Sequence, residues 1–155
     1  EIMYNLKKIF ECLAILLCLV CFTGCTKKIE RGGVVDYEVF SKKIFENIPF
    51  EYKNLMNKEQ TIISNVYVGK KDMPIQLFNS LIVEKIKKDG WVGKKAEFED
   101  QQIYCHGANN SMSIIYPRKV IYTNDSGGVI NIKNEDLDKW VISFMYNSKG
   151  LKECN

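Results

Sequence analysis

The chain has 155 residues, 46% hydrophobic and 26% charged, with a formal net charge of +3. That length and balance fit one globular domain with a real core. Lys and Arg are spread among Glu and Asp along the sequence, which gives no concentrated basic face and argues against nucleic acid as a partner.

Read from Met3, the chain presents Lys7, Lys8 and Glu11, then no charged residue from Cys12 through Thr26. Glu1 and Ile2 read as a start set slightly upstream. An apolar run of about 15 residues falls short of the roughly 20 that a helix needs to cross a bilayer. It has the proportions of a secretory signal.

The run ends in Phe22-Thr23-Gly24-Cys25, which resembles the lipobox of bacterial lipoproteins, where a large apolar residue, a small residue and Gly or Ala precede a cysteine. The resemblance covers this segment and not the domain after it. It implies lipidation of the Cys25 thiol with a diacylglyceryl group. It also implies cleavage between Gly24 and Cys25 by a signal peptidase that recognises Phe22, Thr23 and Gly24, with acylation of the new amino terminus. Cys18 and Cys21 follow Leu17 and Val20 and lack the small residue before the thiol.

At about 0.8 kcal/mol per buried methylene, one acyl chain anchors marginally and two or three hold firmly, so the resemblance implies a membrane partner through the N-terminal lipid. Thr26, rather than Asp, follows Cys25. By resemblance to diderm sorting signals this implies the outer membrane, facing the periplasm, if the host has one. An uncleaved anchor and a secretory signal without lipid are the alternatives at this point.

Residues 1–24 thus read as signal peptide, 25–33 as a polar tether ending in Gly32-Gly33, and 34–155 as one domain. Tyr37, Phe40, Ile44 and Ile48 recur every three or four residues and predict an amphipathic helix closing before Pro49. Thr61 to Val68 predicts a strand bounded by Gly69. Asp72-Met73-Pro74 predicts a helix start. The stripe Phe78, Leu81, Ile82 and Ile86 continues that helix, and Lys85, Lys87 and Lys88 suit its C-terminal dipole before Gly90.

After Trp91 the period becomes that of strands. Lys95 to Cys105, Ser111 to Tyr116, Lys119 to Thr123, Val129 to Ile132 and Lys139 to Tyr146 are separated by turn residues. Early helices and a late meander predict an α+β fold, two helices packed on one face of a mainly antiparallel sheet.

Of six cysteines, only Cys105 and Cys154 lie in the domain. In an exported chain they read as a disulfide, with two free thiols as the alternative. His106 follows Cys105, but neighbours on a strand point to opposite faces and make no dyad. Asn124-Asp125-Ser126-Gly127-Gly128 reads as a hairpin turn, since it lacks the spaced acids of a calcium loop. Asn134, Glu135, Asp136 and Asp138 read as solvated acids before a strand. Tyr104, Tyr116, Tyr122 and Tyr146 read as strand formers first and as a contact surface second.

No catalytic residue, metal site or cofactor is predicted. The reading that results is a non-enzymatic module that binds a protein partner in the cell envelope or serves as an envelope accessory. The alternatives are an envelope enzyme acting on cell wall or lipid through acids such as Glu97, Glu99 and Asp100, and a carrier of a small ligand held between helices and sheet.

Overall fold

Asp36 opens the first helix: its carboxylate accepts the Val39 amide at 3.0 Å, satisfying one of the unpaired donors of a helix start. Helix α1, Tyr37–Ile44, turns Tyr37, Phe40, Ser41 and Ile44 inward. It stops short of the expected boundary, so that Ile48 lies beyond it in the turn leading to Pro49. The computed structural model describes residues 33–155; Phe22, Thr23, Gly24 and Cys25 lie outside the described residues.

Strand β1, Phe50–Asn57, follows directly and pairs antiparallel with β2, Thr61–Gly69. Helix α2 then runs in three contiguous stretches, Ile75–Leu77, a π turn Phe78–Ile82, and Val83–Lys88. Phe78, Ile82 and Ile86 point into the core. Leu81, expected in the same stripe, is instead 44% exposed. The wider π turn, with its i to i+5 bonds, keeps Phe78 and Ile82 facing inward and leaves Asn79, Ser80 and Leu81 between them exposed. Gly90, at φ +87°, ends the helix in the left-handed region that glycine adopts without a Cβ penalty.

The remaining strands are β3 Val92–Lys94, β4 Gln101–His106, β5 Asn110–Ile115, β6 Ile121–Thr123, β7 Val129–Asn131 and β8 Lys139–Asn147. Six of them form one antiparallel sheet in the order β1-β2-β8-β5-β4-β3, and β6 and β7 form a separate hairpin. The strand expected over Lys95 to Cys105 begins later, at Gln101 as β4, with residues 95–100 forming a loop, and the short β3 before it, Val92–Lys94, was not expected. Asp100, with φ 58°, supplies the break in extended backbone.

Both helices pack on one face of the sheet, so the α+β architecture is as the periodicity predicts. The core on that face is aromatic. Tyr37 stacks on Phe144 at 4.8 Å, Phe40 meets Trp91 at 5.2 Å, and Phe78 lies 4.4 Å from Trp140. The Trp140 indole N–H donates to the Met73 carbonyl at 2.7 Å, giving the buried ring the polar partner it requires. Lys43 and Asp89 form an ion pair between α1 and the end of α2.

The opposite face is covered in two patches. Ile115, Tyr122 and Ile132, with Phe98, Ile130, Leu137 and Val141, form one under the β6–β7 hairpin. Ile103, Cys105, Leu151 and Cys154, with Ala96 and Met145, form the other under the C-terminal turn Lys152–Cys154.

Candidate functional site

Pairing fixes which side chains share the hairpin face. Along β8, Trp140, Ile142, Phe144 and Tyr146 are buried toward the helices, so Val141, Ser143 and Met145 face the other way. Register then places Ser143 beside Ser113 on β5 and Asn65 on β2. Ser113 in turn lies beside Ile103 on β4. A mostly polar row therefore crosses the middle of this face and ends at Ile103, which belongs to the second apolar patch.

At one end of the row is a cavity of about 190 Å³. Ile103, Ser111 and Ser113 form its strand side, Gln101 and Phe98 lie at the start of β4, and Glu97 and Glu153 complete the lining. It sits where the two covers fail to meet, because Phe98 belongs to one apolar patch and Ile103 to the other. Its volume exceeds the ~10–15 Å³ that holds one water and falls below the ~300–1,000 Å³ of clefts for drug-sized ligands. It has room for one small group.

Gln101 is fixed at both ends of its amide. Its Nε2 donates to Ser113 Oγ at 2.8 Å and its Oε1 accepts the Phe98 amide at 3.3 Å. Ser111 is only 6% exposed and lines the cavity, yet its hydroxyl has no hydrogen-bond partner among the described residues. Buried polar groups are nearly always paired, so Ser111 stands out. The Glu97 carboxylate accepts from Asn124 Nδ2 at 3.2 Å. Among the described residues neither Glu97 nor Glu153 is in an ion pair.

Cys105 and Cys154 are joined in a disulfide, Cα–Cα 5.6 Å, between β4 and the C-terminal turn. This bond draws Glu153 over the sheet and so builds one wall of the cavity. His106 points to the other face, as strand alternation requires. It is not a surface residue as expected, since it is half-buried with its ring 5.6 Å from Trp91.

The acids named for catalysis do not converge. Glu97 faces the cavity, Glu99 pairs with Lys119 at 2.6 Å, and Asp100 meets Arg118 at 3.4 Å and the Tyr122 hydroxyl at 3.4 Å. The Lys119 ammonium beside Glu99 holds that carboxyl below its usual value, and the same bond raises the lysine. Among the described residues no group of three or more His, Cys, Asp or Glu is arranged to hold a metal ion.

Asn124 to Gly128 forms the expected turn between β6 and β7, with the Asn124 side-chain oxygen accepting the Gly128 amide at 2.6 Å. Asp136, in the turn before β8, pairs with Lys139 at 3.0 Å. Tyr104, Tyr122 and Tyr146 are buried and Tyr116 packs half-buried on Trp140 at 4.7 Å, so these tyrosines build core rather than an exposed surface. On the polar row's side of the sheet Tyr67 is half-buried, with Lys53 4.9 Å from its ring centroid. Sequence reasoning did not single it out.

Comparison with protein-family models, with curated proteins and with solved structures finds no match.

Proposed function

We propose that this protein is a membrane-anchored extracytoplasmic lipoprotein whose domain is a non-enzymatic binding or accessory module of the cell envelope. The observation that carries the reading is the Cys105–Cys154 disulfide in the body of a chain whose N-terminal segment resembles a lipoprotein signal. Structural disulfides persist in oxidising compartments and are rare in the cytosol. Among the described residues no helix is long and apolar enough to cross a membrane; in this reading attachment is through lipid on Cys25. Glu97, Glu99 and Asp100 have separate partners, which favours the binding reading over an enzyme built on those three acids.

The decisive experiment is the intact mass of the protein extracted from membranes, beside a Cys25→Ser variant. The expected mass begins at Cys25 and carries acyl chains, and the variant lacks them. An unmodified full-length mass overturns the reading. Capture from detergent-solubilised envelopes is expected to return the same protein partner repeatedly, and repeated failure to do so counts against the binding role.

A further inference from the structure

We infer that the cavity on the hairpin face is a binding site for an aliphatic primary ammonium group, the head of a lysine side chain on a partner. This gives the binding role a chemistry, and it stands whether or not Cys25 carries lipid.

The buried Ser111 hydroxyl is the starting point. A buried hydroxyl without a protein partner is rare, and one that lines a cavity is placed to bond a group that enters it. Ser111 makes no hydrogen bond to Gln101 or Ser113, which are bonded to each other at 2.8 Å. Its oxygen is left facing the cavity.

Charge decides what fits. The two ionisable groups in the lining are the carboxylates of Glu97 and Glu153, and neither is paired with a cation among the described residues. Lys94, in register beside Ile103, and Lys152, adjacent to Glu153 in sequence, do not line the cavity. A phosphate or carboxylate ligand would meet two like charges. A neutral sugar would gain no charge attraction from either carboxylate.

An ammonium carries three N–H donors, and the cavity offers three acceptors in Glu97, Glu153 and Ser111. Phe98 and Ile103 supply apolar surface for the methylene stem of such a group, in the manner of lysines that bury their stems and pair their heads. The cavity volume of about 190 Å³ suits one such side chain and not a whole folded ligand.

The test is a titration of the full-length, isotope-labelled chain in detergent micelles, followed by backbone amide shifts. The probe is acetyl-Gly-Lys-Gly-amide, and its control is the same peptide with norleucine, which keeps the stem and lacks the ammonium. Saturable shifts at Gln101, Ile103, Ser111 and Ser113 are expected with the lysine peptide alone. The double variant Glu97→Gln, Glu153→Gln is expected to weaken binding by roughly tenfold. Ser111→Ala should weaken it about fivefold while leaving the amide spectrum of the unliganded protein folded.

Glu99→Gln, outside the cavity, leaves affinity unchanged. n-Butylamine is titrated in parallel: equal affinity for it assigns the site to free amines, and weaker affinity assigns it to a side chain on a partner. Equal shifts from the lysine and norleucine peptides overturn the proposal, as does undiminished binding by the double variant or the lack of any saturable shift. Lipidation of Cys25 is read separately by mass, so failure of the anchor and failure of the site are told apart.

Discussion

Asn110 holds the start of the domain. It is 1% exposed, and its Nδ2 donates to the carbonyls of Gly33 at 2.7 Å and His106 at 3.1 Å. Its Oδ1 accepts the Tyr37 hydroxyl at 3.0 Å and the Val35 amide at 3.3 Å. Asn110→Ala strips partners from four groups and is expected to cost about 3 kcal/mol, read as a lowered urea midpoint. Asn110→Asp is not expected to rescue it, because an anionic oxygen would then face two carbonyl oxygens. Tyr37 itself sets a pH limit. Burial, and next the neighbouring Tyr52 and Tyr146, push its phenol well above the ordinary value of 10.0. The unfolded chain therefore releases this proton first as pH climbs. The stability held by the neutral phenol is complete below pH 10.0 and is lost above it. Tyr37→Phe is expected to flatten that alkaline fall in a series of urea melts from pH 8 to 11, whereas an unchanged slope would place the titration elsewhere.

At the scale of elements, the C-terminal turn depends on a single covalent tie. Cys105 and Cys154 are 49 residues apart, and the chain-entropy relation gives such a loop a stabilisation of about 4 kcal/mol at most. Reduction with dithiothreitol is expected to lower the melting temperature of the purified protein, and an unmoved curve would contradict the pairing. The helices and the central strands were legible because burial on one face stamps a period on the sequence, as in Phe40 and Ile44 or Trp140, Ile142 and Phe144. Strand β1 was not. The register shifts between Asn54 and Met56, and Leu55 is 57% exposed, so the alternation that marks a strand is broken by an irregularity on a sheet edge. Strand β3 was missed because its three exposed residues carry no alternation, and β4 was begun too early because Asp100 carries its bend without a glycine or proline to announce it.

For the whole molecule, the candidate site was the least legible feature. Its lining comes from residues 97–103, 111–113 and 153, three stretches that only the sheet and the disulfide bring together. Ser111 looked like any other strand serine; what distinguishes it is burial without a partner, a property of the assembled fold. The disulfide could be anticipated from two cysteines in a chain whose start resembles an export signal, but its effect of carrying Glu153 over the sheet could not, because spacing along the chain does not say which face a terminus crosses.

The sheet order has a consequence for how the protein comes into being. Strand β8, the last of the described strands, lies between β2 and β5 near the middle of the sheet. Until residues 139–147 emerge during synthesis, the inner edges of β2 and β5 have nothing to pair with, and the two halves of the sheet cannot close. Contacts this distant along the chain also form slowly. The local pairs β1–β2 and β3–β4–β5 can form before that stretch, but the six-stranded sheet is completed only when it joins them.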